Sequence, residues 1–457
     1  MINLALEKNK KKFLFLIIFL LGALSRSYNI NFEDFTTDEI FAFWTSEPNI
    51  SFKETLVRTL SSNFNCLFDF LLKWYHLLLG YDVHLSIYFP LILSLISLIF
   101  FYIFLKNNTS QNSAILGFFL LSVNIFHIKY SVELRSYILT FLLTIIFFLL
   151  NFKDRKPIKV NSFRLIGIIL TSILMVLSHS FTLLIFFSFI LYKLIVCVSN
   201  KRINANDIIL LSSLILISLS YLFIYLPINI SFIGSEFFMD KSISPHWFQQ
   251  VKLSFYTNYF FSHFFGSRII GLIYLLVFFY LLLKFIKKII KNQDIYLFLI
   301  IMIFISYFIP VTYGYLFTPV LQSRYIFFVL IPILYLISSL TLDFNNDYKK
   351  YSLIFLLVAP SFFNHFTENT FKQFYTNIHP SKPEVRKSLE YIVKNKDLNY
   401  SFISVKDNPI NINFVYENYL KKYSEKINKN LTYYDYSNIN DSELPDNLWL
   451  IYFTDIT

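Results

Sequence analysis

Long uninterrupted apolar runs constrain this chain more than any other feature. A backbone surrounded by lipid has to satisfy its own hydrogen bonds, so runs of about 17–25 apolar residues are read as helices. About eleven are legible: 13–28, 83–105, 113–129, 136–152, 164–179, 181–198, 208–229, 269–286, 295–311, 325–342 and 351–364. The break near Ser178-His179-Ser180 is what divides the otherwise continuous stretch 164–198.

Composition supports this reading. Hydrophobic residues make up 56% of the chain and charged residues 15%, with a mean hydropathy of +0.55. Soluble globular domains carry about 25% charged residues, so a soluble fold is excluded for most of the length, as are disorder, a coiled coil and a nucleic-acid-binding domain. The expected fold class is an α-helical polytopic membrane protein.

The net charge of +11 is then a question of sides. With the N-terminus in the cytoplasm, the short inner segments 1–12, 106–112, 153–164, 199–207, 284–294 and 343–350 hold 18 Lys and Arg. The longer outer segments 25–82, 127–136, 230–268 and 311–324 hold 10. The C-terminal tail then lies outside. The Lys-rich start followed by a short apolar core is also a signal-peptide pattern, and in either case the next loop is outside. Abundant Phe, Tyr, Ile, Asn and Lys point to an AT-rich, bacterial genome and so to the bacterial inner membrane. Cys66 and Cys197 are expected on opposite sides, with no disulfide between them.

Outer loop 29–82 is acidic early (Glu33, Asp34, Asp38, Glu39, Glu47) and amphipathic over 52–79, which predicts one or two helices in the headgroup layer. Loop 230–268 is aromatic (Trp247, Phe255, Tyr256, Tyr259, Phe260, Phe261) and reads as an interfacial belt. Residues 365–457 carry 11 Lys/Arg and 12 Asp/Glu, and predict helices over 383–395 and 414–426 and strands over 400–405 and 448–453. The expected domains are therefore a transmembrane module, 1–364, and an external soluble α/β domain, 365–457.

Ionisable groups cluster at the outer ends of the spans. Asp38 and Glu39 are adjacent carboxylates close to the bilayer surface, suited to accepting a proton from a hydroxyl or to holding a divalent cation (Mg or Mn) against a phosphate. They are equally what a solvated acidic loop would carry. In Tyr130-Ser131-Val132-Glu133-Leu134-Arg135-Ser136-Tyr137, Glu133 and Tyr137 are expected to share a helix face, and Arg135 has the planar fork that clamps a phosphate. An interfacial Arg–Glu pair with a Tyr anchor is the alternative. Gln322-Ser323-Arg324-Tyr325 puts a second guanidinium at the start of a late span, and His179 sits at the outer end of another. Charges near a membrane are expensive, which favours function for the group as a whole.

These residues resemble the GT-C superfamily of integral-membrane glycosyltransferases, in the branch of protein O-mannosyltransferases and lipid A aminoarabinose transferases. Asp38-Glu39 is similar to the acidic pair of the family's first outer loop. Residues 130–137 are similar to its Tyr-Ser-x-Glu-x-Arg-x-Tyr run, Ser178-His179-Ser180-Phe181 to its His-aromatic segment, and Arg324-Tyr325 with Pro332 to its late Arg-Tyr helix start. The resemblance covers roughly residues 13–342. Where many relatives carry His-Pro-Pro-Leu this chain has Asn65-Cys66-Leu67, and no Arg precedes Pro90.

The resemblance implies transfer of a sugar from a polyprenyl-phosphate donor to an extracytoplasmic glycan, lipid or protein acceptor, with inversion. Asp38 would act as base and Glu39 in orientation or metal contact. Arg324, Arg135 and Tyr325 would meet the donor phosphate, with Glu133, Tyr137 and His179 in support. Two rivals are a cell-surface glycan polymerase or ligase and a polysaccharide transporter. The first would place basic residues in a long central outer loop, whereas 230–268 holds only Lys241, Lys252 and Arg268; the second needs polar residues at mid-membrane depth.

Overall fold

A computed structural model describes residues 2–28, 30, 33–61, 65–158, 161–200, 205–225, 227, 261–292, 294–317, 320–367, 385–394, 401–406, 419, 422, 432–434 and 449–453. Helices cover the apolar runs: α1 Ile2–Ser27, α6 Tyr88–Asn108, α7 Gln111–Ser122, α9 Tyr137–Asn151, α10 Ser162–Ser178, α11 Leu183–Asn200, α12 Ala205–Ser220, α14 Arg268–Asn292, α15 Ile295–Leu316, α16 Leu330–Leu342 and α17 Asp347–Thr367. Between them lie α2 Thr37–Thr45, α3 Phe52–Ser61, α4 Cys66–Leu79, α5 Val83–Ser86, α8 Ile125–Tyr130 and α13 Phe261–Phe265. Five described helices are long and apolar enough to cross a membrane, and three more apolar helices are shorter. The chain is an integral membrane protein.

α16 is the pillar of the bundle. Every residue from Leu330 to Thr341 is buried, the signature of a helix enclosed on all sides rather than one with a lipid-facing stripe. It packs on α7, α14, α15 and α17, while α6 packs on α9 and α7, and α10 on α9. Close approach to α7 depends on Gly117: a Cβ there would lie 2.7 Å from Leu105 Cδ1 and 2.8 Å from Ser338 Oγ.

A buried polar knot ties α1 to the bundle. Arg26 donates to Ser94 Oγ (3.0 Å), the carbonyls of Gly22 (2.7 Å), Ser122 (2.8 Å) and Leu121 (3.2 Å), and His127 Nδ1 (2.8 Å). All of the guanidinium's N–H donors are thereby satisfied. Because His127 Nδ1 accepts, its proton is on Nε2, 3.1 Å from Ser97 Oγ.

At the far end of the bundle from α2, the antiparallel hairpin β1 Phe152–Lys153 and β2 Lys156–Pro157 turns through Asp154 and Arg155, both at positive φ. Arg155 is held there by Asn108 and lies 3.8 Å from Asp343.

Over 52–79, where one or two helices are expected, α3 and α4 form, and α2 precedes them in the same loop. α2 forms in the stretch read as an acidic loop. The expectation that Glu133 and Tyr137 share a helix face is corrected: residues 131–136 are a non-helical turn between α8 and α9. In the tail, α18 Val385–Lys394 accompanies a parallel sheet of order β4-β3-β5, formed by β3 Ser401–Lys406, β4 Thr432–Tyr434 and β5 Trp449–Phe453. Most of the aromatic loop 230–268 and of the expected helix 414–426 lies outside the described residues. Cys66 and Cys197 are both free and buried.

Candidate active site

Three turns meet at one end of the bundle. The first is the start of α2, which forms because Thr36 and Glu39 cap it: Glu39 Oε2 accepts the Thr36 N–H and the Thr36 hydroxyl, each at 2.8 Å. That cap puts Asp38 in the first turn, where the helix dipole favours a negative charge. The second is the turn 131–136, bearing Arg135. It is fastened to α2 by the Leu134 N–H, which donates to Glu39 Oε1 at 3.0 Å, and by Arg135 Nη1, which donates to the Asp38 carbonyl at 3.2 Å. The third is the turn leading into α16, where Arg324 Nε donates to Gln322 Oε1 at 2.6 Å.

The two guanidiniums converge on one carboxylate oxygen. Asp38 Oδ2 lies 3.7 Å from Arg135 Nη2 and 3.7 Å from Arg324 Nη1. The Asp38 side chain is 40% exposed, Arg324 32% and Arg135 12%, so Asp38 and Arg324 remain accessible while Arg135 is largely enclosed. Burial opposes the Arg135 charge, but Asp38 and Tyr137 outweigh it and hold the guanidinium protonated. At Arg324 burial is likewise outweighed, by Tyr137, Tyr325, Asp38 and Glu133.

An aromatic wall adjoins this cluster. The Tyr325 ring lies 5.5 Å from His179, 5.2 Å from Phe181 and 6.4 Å from Tyr137, and the Tyr137 ring lies 5.7 Å from His179. Both arginines stand over tyrosine rings, Arg135 over Tyr137 at 5.8 Å and Arg324 over Tyr325 at 5.5 Å. His179 Nδ1 accepts the Phe181 N–H at 3.2 Å, which leaves the imidazole proton on Nε2. Burial, then Arg135 and Arg324, push its pKa down to about 3, so the ring is neutral at physiological pH.

Asp38, Arg135, Arg324, Tyr325, Tyr137 and His179 thus come together from four separate stretches of sequence. Glu133 is buried and within electrostatic reach of Arg324. Glu39 is fully buried, with both carboxylate oxygens accepting from Thr36 and Leu134; it holds the site together from behind. The Asp38–Glu39 pair is not arranged as a cation site, because Asp38 Oδ2 is flanked by two cations and Glu39 is committed to protein donors. Among the described residues no three His, Cys, Asp or Glu side chains form a metal-binding group.

Sequence reasoning missed two supports. Asn65, where the family resembled in sequence has another motif, clamps the break beside His179: its oxygen accepts the His179 N–H (3.0 Å) and the Ser180 N–H (2.8 Å), and its nitrogen donates to the Tyr221 hydroxyl (3.0 Å). That departure from the family pattern was the available signal. Asp69, on α4, accepts the Thr59 hydroxyl at 2.8 Å inside the three-helix loop. Nothing in its sequence setting separates it from an exposed acid on an amphipathic helix.

The fold is similar to that of archaeal oligosaccharyltransferase AglB. AglB from Archaeoglobus fulgidus in complex with an inhibitory peptide and a dolichol-phosphate matches with a TM-score of 0.50 at 11% identity, over 91% of this chain and 60% of AglB. The same enzyme tethered through a disulfide bond to an acceptor peptide containing the NVT sequon gives a TM-score of 0.50 at 11% identity, over 91% of this chain and 63% of that one. The chain therefore spans less than two thirds of the length of AglB, and the likeness is one of fold. No protein-family model matches the sequence, and no curated protein does either.

Proposed function

We propose that the protein is a membrane glycosyltransferase that moves a hexosyl or pentosyl unit from a polyprenyl-phosphate donor to an extracytoplasmic glycan, lipid or protein acceptor. The observation that carries this reading is the placement of one accessible carboxylate, Asp38, 3.7 Å from each of two guanidiniums presented by separate turns. The fold likeness supports it, since the AglB structures hold a dolichol-phosphate in one case and an acceptor peptide in another.

In this mechanism the acceptor oxygen attacks the anomeric carbon, and its proton passes to Asp38. The bond from the anomeric carbon to the phosphate oxygen breaks, and the electron pair leaves with the polyprenyl phosphate. Attack opposite the leaving group inverts the configuration. Arg324 is the guanidinium that meets the phosphate: Nε is held by Gln322 and Nη1 faces Asp38, while Nη2 has no acceptor among the described residues. Electrostatic stabilisation of this kind is worth about 3 kcal/mol per donor. Arg135, bound to both the carbonyl and the carboxylate of Asp38, orients the base. Neutral His179 offers an Nε2–H donor, and Tyr325 and Tyr137 wall the site.

The finer placement belongs to the same proposal: about eleven crossings, an inside N-terminus, and the site and an α/β tail on the outer face of a bacterial inner membrane. The branch proposed is the O-mannosyltransferase and aminoarabinose transferase type. The test is mass spectrometry of surface glycans and polyprenyl-phosphate sugars from cells with and without the protein. Loss of one surface sugar with accumulation of its lipid-linked form is expected; unchanged profiles of both overturn the reading.

A further inference from the structure

The acidic segment that leads into α2 is gripped by a residue from the opposite end of the chain. Tyr419 is fully buried, and its hydroxyl donates to Asp34 Oδ1, itself buried and four positions before Asp38. The same carboxylate oxygen accepts the Phe35 N–H at 2.8 Å. The Tyr419 ring packs against Phe35 at 5.6 Å and stands edge-on to Phe43 at 6.0 Å. Phe43 lies on α2 and is held on its other side by Tyr81, whose ring stacks on it at 4.1 Å and whose hydroxyl donates to the Phe43 carbonyl at 3.0 Å. Tyr419 therefore touches the chain on both sides of Asp38, once just before α2 and once within it.

This contact differs from ordinary surface docking. A carboxylate taken out of water needs a donor, and a tyrosine hydroxyl inside a ring of aromatic side chains is a directional one. What lies between the two contact points is the turn whose Asp38 carbonyl and carboxylate are met by Arg135.

We infer that Tyr419 is a positioning residue: as a latch on Asp34 and Phe43 it holds Asp38 between Arg135 and Arg324. The inference rests on the proposed transferase reading, and its test separates the two. In the full-length chain in nanodiscs, Tyr419→Phe keeps the ring and removes only the hydroxyl. With whichever member of a panel of polyprenyl-phosphate hexoses and pentoses turns over, kcat is expected to fall about tenfold while the donor KM stays within twofold, because Arg324 is untouched. Asp34→Ala should fall at least as far, since it also frees the Phe35 N–H, and the double variant should fall no further than Asp34→Ala, because the Tyr419 bond is already gone there. Asp34→Asn, which keeps an oxygen acceptor, should stay within threefold of the parent. Amide exchange over residues 37–45 should accelerate in Tyr419→Phe and Asp34→Ala, measured without any donor. Full activity in Tyr419→Phe with unchanged exchange overturns the latch, as does a double variant whose losses multiply. A parent chain that transfers no sugar, yet shows the exchange effect, counts against the transferase reading and leaves the latch standing.

Discussion

The Leu134 N–H donates to Glu39 Oε1 at 3.0 Å across 95 positions of sequence. That bond joins the helix carrying the acid to the turn carrying Arg135. Glu39 also caps its own helix, so its removal loses a cap, worth about 1 kcal/mol, and orphans a buried N–H at about 1–3 kcal/mol. Glu39→Ala is expected to lower the thermal midpoint by several degrees and to reduce transfer together with it. Glu39→Gln, which retains acceptor oxygen, should lie between the two. Full stability in Glu39→Ala would remove this residue from its supporting role.

Asp38→Asn should separate folding from chemistry. The side chain is part exposed and its ion pairs are long, so insertion and melting should be close to the parent. Transfer should fall by about 10²–10⁴-fold, the usual contribution of a general base. Turnover within a few-fold of the parent would take Asp38 out of the base role.

Arg324→Ala is expected to weaken binding of a polyprenyl phosphate and to lower kcat/KM by about 10²–10³-fold. Lysine should restore only part of this, because a point charge does not reproduce the planar fork. Calorimetry or fluorescence titration with undecaprenyl phosphate reads the affinity directly, and an unaltered Kd would point the leaving group elsewhere.

Asp69 gives the fold a pH signature. Burial pushes its pKa up to about 6, against the partial opposition of Thr59, Arg135 and Thr45. The folded protein then binds this proton more tightly than the unfolded chain. Stability is greatest below the ordinary carboxylate range, declines as pH rises towards 6, and levels off above it, a loss of about 3 kcal/mol. Asp69→Asn keeps an acceptor for the Thr59 hydroxyl and carries no proton to lose. Its melting temperature should exceed that of the parent at pH 7.5 and match it at pH 4.5; an equal gain at both values would assign the effect to packing instead.

Gly117→Ala tests the contact between α7 and α16. The added methyl must displace Leu105 Cδ1 and Ser338 Oγ, both inside a dense region, at a cost of about 1–3 kcal/mol. A lower melting temperature in nanodiscs with kcat unchanged is the expected result. Pairing it with Ser338→Gly should recover part of the loss.

Much of this was legible from the chain alone, for identifiable reasons. Apolar runs report their own burial, so α6, α9 and α15 follow from hydropathy. Asp38, Arg135 and Arg324 stood out because charges beside a bilayer are costly to keep. What sequence reasoning could not reach was anything set by distant partners. α2 was hidden because its cap residue Glu39 looks like any loop acid until Leu134 is brought against it. The turn 131–136 was misread as helix because Glu133 and Tyr137 are spaced as helix neighbours, whereas the Leu134 N–H is drawn to Glu39. Tyr419 and Asp34 are 385 positions apart, and no local pattern announces such a pair.

The enclosure of α16 bears on how such a protein can diversify. Arg324 and Tyr325 stand immediately before a rod wedged tight against its neighbours, which can neither tilt nor slide without disrupting the whole interior. The opposing carboxylate rides on α2, a short helix whose hold on the bundle runs through a few bonds, chiefly those from Leu134 and Arg135. One jaw of the vise is bolted to the frame, and adaptation to a new sugar or a new recipient would be accommodated by the other.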